Sequence, residues 1–155
     1  MKEIITNMED CVLHDVQLVE AKLISLNCEV KDKKDSVVTD IVTNMAITTK
    51  GTAIDENKGY ADISINLDSE IFIFKIIQRG EFEIKNSEKI PIEKFEKFLA
   101  TQGIRILWSY ARETVFEISC KMLRKPIMLP TLDVIRTLEN SKEHDKKEEQ
   151  AGIKK

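Results

Sequence analysis

Two histidines and three cysteines are the side chains of this 155-residue chain best suited to nucleophilic, acid–base or metal chemistry near neutral pH. Cys11 and His14 stand at C-x-x-H spacing, half of a zinc-ligand pattern. A structural zinc normally takes four ligands and no second pair follows, so His14 reads as a strand-edge histidine. His144 lies in a stretch of lysine, glutamate and aspartate. Cys11, Cys28 and Cys120 form no C-x-x-C pair and read as buried thiols of a reducing cytosol. Glu113 and Glu117 fall one helical turn apart, where two carboxylates can share a proton, but Arg112 and Lys121 are close enough on the same helix to neutralise them as ordinary ion pairs. Neither G-x-G-x-x-G nor G-x-x-x-x-G-K-[ST] occurs, so nucleotide binding has no motif to rest on. The chain therefore reads as a non-enzyme with no catalytic site, no metal site and no cofactor.

Composition narrows the partners. Hydrophobic residues make up 42% and charged residues 33%, in the range of a soluble globular domain. A net charge of −3 gives no general attraction to nucleic acid or to anionic lipid. The first twenty residues carry Glu3, Glu9 and Asp10 and no central apolar block, unlike a secretory signal. No run approaches the roughly 18 apolar residues of a membrane span, the densest stretch being Ile71–Ile77 with Lys75 inside it. A cytoplasmic protein without membrane insertion is expected, with one domain over residues 1–140 and a disordered charged tail over 141–155.

Periodicity supplies the elements. Alternating apolar residues predict a first strand over Val12–Val30, carrying Val16, Leu18, Ile24, Leu26 and Cys28 and a bulge near Glu20–Lys22. A second strand spans Asp40–Thr49, and a third sets Ala61, Ile63, Ile65 and Leu67 against polar neighbours. The fourth, from Ile71, is apolar on both alternations; Gly80 reads as a bulge before Phe82 and Ile84. The period then changes to about 3.6. Ile92, Phe95, Phe98 and Leu99 make a short helix that Gly103 stops. A long helix from Ile104 to Arg124 carries Ile104, Trp108, Ala111, Val115, Ile118 and Met122 in one seam and Phe116, Cys120 and Leu123 in a second stripe. Pro126 and Pro130 bracket Ile127-Met128-Leu129, and Thr131 caps a last helix through Leu138. The fold class is α+β: a four-stranded antiparallel meander followed by a short helix, a long helix and a C-terminal helix packed on one face.

This inventory holds an apolar surplus. A two-sided strand, a double-striped helix and a proline-bracketed apolar loop offer more surface than one small core buries, unless the loop simply plugs the gap between sheet and helix. Subunits that pack together, or a partner with extended apolar segments, would cover it.

The run Gln78-Arg79-Gly80-Glu81-Phe82-Glu83-Ile84 and the run Gly103-Ile104-Arg105-Ile106-Leu107-Trp108-Ser109-Tyr110-Ala111-Arg112-Glu113 resemble the SecB family of protein-export chaperones. Pro126–Asp133, with Leu129-Pro130, continues the resemblance, which spans roughly Val16–Leu138. It implies a homotetramer, a dimer of dimers, that holds unfolded or precursor polypeptides in long apolar grooves without ATP. By the family's pattern the grooves would be lined here by Ile41, Met45, Ile47, Trp108, Ile127, Met128 and Leu129. The seam of Ile104, Ala111, Val115, Ile118 and Met122 would be divided between the sheet contact and the oligomer interface. SecB proteins that hand clients to the SecA motor dock it through acidic residues on the exposed sheet face. The matching positions here are Leu23, Asn27 and Lys75, two losses and a reversal, with Ile73 as the retained apolar member. A reversed charge repels where the family's attracts, which weighs against docking a basic motor surface in the usual way.

Three functions are compatible with these residues. The first is a holdase that keeps polypeptides soluble for export. The second is a SecB-like chaperone dedicated to one partner, such as the antitoxin of a toxin–antitoxin pair. The third is an oligomeric scaffold whose apolar surface is consumed by self-assembly.

Overall fold

A computed structural model describes residues 13–31, 44–85 and 89–141. Four antiparallel strands, β1 (Val16–Val30), β2 (Asn44–Ala53), β3 (Lys58–Asp68) and β4 (Phe72–Ile84), precede the helices. The sheet order is β1-β4-β3-β2. The expected meander covers β2 to β4, and β1 sits beside β4 rather than beside β2. Length accounts for that placement, because fifteen-residue β1 pairs along the whole of β4, from Val16 opposite Ile84 to Val30 opposite Phe72.

Local chemistry sets both hairpin turns. At the first, the Asp55 carboxylate accepts the backbone N–H groups of Asn57 and Lys58, each at 2.8 Å. Those donors hold its carboxyl below the usual carboxylate range. At the second, the buried Ser69 hydroxyl accepts the N–H groups of Ile71 and Phe72 at 3.2 and 3.1 Å. Lys31, at the end of β1, donates to Asp68 and to the carbonyl of Ser69, both at 2.7 Å. The first strand is thereby tied to the β3–β4 turn.

Alternation decides what is buried. The face of β4 formed by Phe72, Phe74, Ile76, Gln78, Gly80, Phe82 and Ile84 lies under the helices, as do Ala61, Ile63, Ile65 and Leu67 of β3. The opposite face carries Ile73 and Ile77 among polar residues and, among the described residues, is covered by no second layer. There Arg79 forms a bidentate ion pair with Asp62 at 2.7 Å and lies 4.0 Å from the Tyr60 ring centroid.

Two expectations about glycine are corrected. Gly80 makes no bulge: β4 pairs without a shift at Gly80, opposite Ala21 and Ala61, and a Cβ there would lie 3.0 Å from Leu107 of the covering helix. The bulges fall in β1 instead, at Val19 and Ile24, the first next to the expected position and both with exposed side chains. Nor does Gly103 stop a helix. α1 (Ile92–Phe98) continues through a π-helical turn (Leu99–Gly103) into α2 (Ile104–Met122), and Gly103 itself has right-handed helical angles. The turn has a packing cause: the sheet-facing residues Phe95, Leu99, Ile104, Trp108, Ala111 and Val115 step by four, five, four, three and four. The five-residue step restores the phase that a pure α-helix would lose. Gly51 lets backbone approach backbone, since a Cβ there would lie 2.6 Å from the Ala100 nitrogen, and Gly103 lets the helix approach β3, where a Cβ would lie 3.2 Å from Ala61 Cβ.

A last helix, α3, covers residues 134–141. Its cap is Asp133 rather than Thr131, since the Asp133 carboxylate accepts the Arg136 N–H at 3.1 Å. Val134 is buried, and Leu132 and Leu138 pack on the same core. The helices thus share one face of the sheet, as expected.

Replacing Gly51 by alanine is expected to cost about 2–3 kcal/mol, because the clash is with backbone that cannot turn aside. Gly103→Ala should fall within about 1 kcal/mol of wild type, as the gain in helix propensity offsets a milder contact. Urea midpoints of the two variants check the difference. For Asp55, a folded carboxyl below its unfolded value stabilises above the ordinary carboxylate range, and the effect is lost as pH falls through the folded value. The deficit of Asp55→Ala at neutral pH should therefore shrink in denaturation curves taken below about pH 3.9.

Candidate functional site

Among the described residues, those singled out for chemistry stand apart from one another, each with its own partners. His14 Nδ1 accepts the Val16 N–H at 3.0 Å, and its ring lies 5.0 Å from that of Phe98, which matches a histidine at a strand end. Arg112 does not serve as an ion-pair partner for Glu113 or Glu117; its Nε donates to the Leu129 carbonyl at 3.1 Å. The cysteines are less buried than expected: Cys28 is half-buried, with burial pushing its thiol up, and Cys120 is exposed. Cys11 and His144 lie outside the described residues. Among those described, no group of histidine, cysteine and acidic side chains could hold a metal ion, and no helix is long and apolar enough to cross a membrane.

The loop after α2 is where structure and surface chemistry meet. Pro126 and Pro130 forbid helix across it, so its backbone polar groups need partners from elsewhere. α2 supplies three. The Ser119 hydroxyl accepts the Ile127 N–H at 2.8 Å, Arg112 holds the Leu129 carbonyl, and the Trp108 indole donates to the Pro130 carbonyl at 3.3 Å. Ser119 is fully buried and Trp108 is only 4% exposed. The apolar triplet divides accordingly: Leu129 is 5% exposed and belongs to the core, Ile127 is half-buried against it, and Met128 is 69% exposed. Plug and exposed patch are both present, in adjacent residues.

Helix geometry gives the loop's direction. Arg112 and Thr114 project about 200° apart around the α2 axis. Thr114 meets Gln78 of β4 through a 3.3 Å hydrogen bond, so the loop held by Arg112 takes the other flank of α2. The inner face of β2 presents Met45, 40% exposed, and the half-buried Ile47. A cleft over α2 and the loop, about 280 Å³, is lined by Ser109, Arg112, Glu113, Phe116, Met128 and Leu129.

No protein-family model matches this sequence, and no curated protein matches it. Among solved structures, the SecB-like chaperone Rv1957 of Mycobacterium tuberculosis, in complex with a ChAD peptide from the Rv1956 HigA1 antitoxin, superposes with a TM-score of 0.65. The similarity covers 77% of this chain and 91% of that one at 16% identity. The fold is SecB-like. A protein of unknown function from Streptococcus agalactiae superposes at a TM-score of 0.49 and 10% identity, over 77% of this chain and all of that one.

Within this SecB-like fold the expected site residues separate. Met45, Ile47, Ile127 and Met128 keep accessible surface, Trp108 and Leu129 lie beneath, and Ile41 falls outside the described residues. Of the seam expected to form the sheet contact or an oligomer interface, the first part goes to the sheet. Ile104, Ala111 and Val115 are enclosed by the chain's own sheet and have no surface to give a second subunit; Ile118 and Met122 are only half-buried. The motor-docking set also divides. Asn27 pairs opposite Lys75 on the uncovered face, with Ile73 on the same alternation. Leu23 pairs opposite Gln78, on the helix-covered face, because the β1 bulges shift its alternation. The second bulge, at Ile24, leaves no mark in a period-two pattern, which is why the pattern alone puts Leu23 on the same face as Asn27. The loop anchors Arg112 and Ser119 were missed too; the only sequence signal for them is the unmet polar backbone of a segment between two prolines.

Val115→Asp is expected to unfold the chain rather than merely separate subunits, since an unpaired charge in this core costs several kcal/mol. Loss of the far-ultraviolet helix signal together with cooperative melting would bear this out; a folded monomer would return the seam to the interface.

Proposed function

We propose that this protein is a holdase chaperone that binds unfolded polypeptide segments on apolar surface and works without ATP. The observation that carries the reading is Met128. Three hydrogen bonds from α2 hold the loop in place, yet they keep a large flexible apolar side chain in water. Such an arrangement costs solvation in the free protein and becomes favourable when an apolar segment covers it. Beside it Ile127 is half-buried and Leu129 belongs to the core, and on β2 Met45 and Ile47 keep apolar surface of their own. Methionine suits a surface that must accept many side-chain shapes. The resemblance to SecB proteins supports the same reading and extends it to a cytoplasmic homotetramer that keeps precursors soluble for export.

A second reading is that the chaperone serves one dedicated partner, such as an antitoxin. Two observations favour it. The mycobacterial SecB-like chaperone of similar fold is bound to an antitoxin peptide. In addition, Lys75 stands on the uncovered sheet face where SecB proteins that dock the SecA motor carry acid, so handover to a SecA-type motor has little support here. A scaffold that only self-assembles is less consistent with an anchored loop that leaves Met128 outside.

Met128→Ser should leave thermal stability within about 0.5 kcal/mol of wild type, as expected for an exposed side chain. It should weaken capture of a chemically unfolded test protein about tenfold, on the order of 1.4 kcal/mol of lost apolar burial. Light-scattering assays of aggregation, run with one tetramer per client, read the effect. No delay of aggregation by the wild-type protein would refute the general holdase, and capture of a single antitoxin alone would establish the dedicated form. Leu129→Ser is the contrasting variant, expected to lose about 2–5 kcal/mol of stability because it empties part of the core.

A further inference from the structure

Charge is unevenly placed along this chain. It sums to −3 over 155 residues with 27 acids, yet the stretch from Ile118 to Leu132 holds Lys121, Arg124 and Lys125 and no acid at all. All three basic side chains are exposed, and among the described residues no carboxylate pairs with any of them. Glu117 stands one turn before Lys121 in α2, and even that ion pair is not formed. A helix C-terminus attracts cations, but its pull equals only about half an elementary charge and fades beyond the last turn. Lys121 occupies that last turn and answers it. Arg124 and Lys125, past the end of the helix, are left as uncompensated positive charge.

Their position joins this charge to apolar surface. Lys125 precedes Met128 by three residues, a span of at most about 11 Å, and Pro126 stiffens the chain between them. In the cleft beneath Met128, Arg112 and Glu113 carry opposite charges, so the cleft itself adds no net charge. The loop thus presents a large exposed apolar side chain next to two positive charges that its own chain does not neutralise. A polypeptide segment that covers Met128 with apolar side chains sets its adjoining residues against Arg124 and Lys125. There lysine or arginine is repelled and a carboxylate is attracted. At about 0.1 M salt the field is screened over roughly 10 Å, so a segment at the loop feels these two charges rather than the overall negative charge of the chain. We propose that Arg124 and Lys125 select clients in which an apolar stretch is directly flanked by aspartate or glutamate. The inference rests on the polypeptide-binding reading above and specifies the chemistry of the client. Apolar burial supplies the affinity, and the sign of the flanking charge supplies the discrimination.

The test uses the full chain and three labelled synthetic peptides that share a core of leucine, valine and serine and end in a run of glutamates, of glutamines or of lysines. Fluorescence anisotropy at about 0.1 M salt is expected to show the glutamate peptide binding at least tenfold more tightly than the lysine peptide, with glutamine between them. At about 1 M salt the three affinities should converge to within about twofold, because screening then acts over roughly 3 Å. Reversing both charges, Arg124→Glu with Lys125→Glu, should invert the order and leave the glutamine peptide unchanged; a melting curve matching wild type shows that this variant is folded. If it is not, the salt series on the wild-type protein decides alone. Equal affinity for the three peptides would overturn the proposal and leave polypeptide binding intact. A glutamate preference that survives the double reversal in a folded variant would overturn the assignment to Arg124 and Lys125. Tighter binding to phosphatidylserine vesicles than to the glutamate peptide, abolished by the same reversal, would give these charges to an anionic lipid surface and overturn it as well. A failure of all three peptides to bind would overturn the charge selection together with the polypeptide-binding reading beneath it.

Discussion

The close approach of the helical layer to the sheet is the constraint from which the other features follow. A single apolar face on β3 and β4 must be covered by one helical run, and coverage over that length requires the run to keep its phase. The π-helical turn at Leu99–Gly103 does so, and glycines at 51 and 103 remove the Cβ atoms that would hold the layers apart. With the layers this near, Phe95, Leu99, Ile104, Leu107 and Val115 reach almost complete burial in a chain of modest size. The first half of the α2 seam, Ile104 to Val115, is consumed by this contact. Whatever α2 offers to another molecule must therefore come from its flanks, and one flank is given to the anchored loop.

The legibility of this fold in its sequence depended on whether a feature is periodic. The alternation of Ala61, Ile63, Ile65 and Leu67, and the 3.6-residue stripe from Ile104 to Met122, are repeated signals that many residues vote for, and they are found as expected. Gly80 and Gly103 were misread because glycine serves both flexibility and close approach, and only the neighbouring layer reveals which one is at work. The β1 bulge at Ile24 escaped notice because a single inserted apolar residue looks like one more member of the pattern. The apolar loop was visible between its prolines. The different fates of Ile127, Met128 and Leu129 were not, since they are set by hydrogen bonds from residues eight to twenty-two positions away.

The two kinds of exposed apolar surface have different physical standing. On the uncovered sheet face, Ile73 and Ile77 are isolated among polar neighbours, and the Arg79–Asp62 pair stacked on Tyr60 keeps part of that face rigid and hydrated. Scattered residues of this sort are ordinary on protein surfaces. Beside α2 the exposed Met128 projects from a loop whose backbone is held by three hydrogen bonds, next to the buried Leu129.

The contacts that anchor the loop end on the Ile127 nitrogen and on the carbonyl oxygens of Leu129 and Pro130. None of them involves the side chain at position 128. The scaffold and the displayed group are thus separable under mutation, so the side chain at the loop's apex can change without renegotiating how the loop is held.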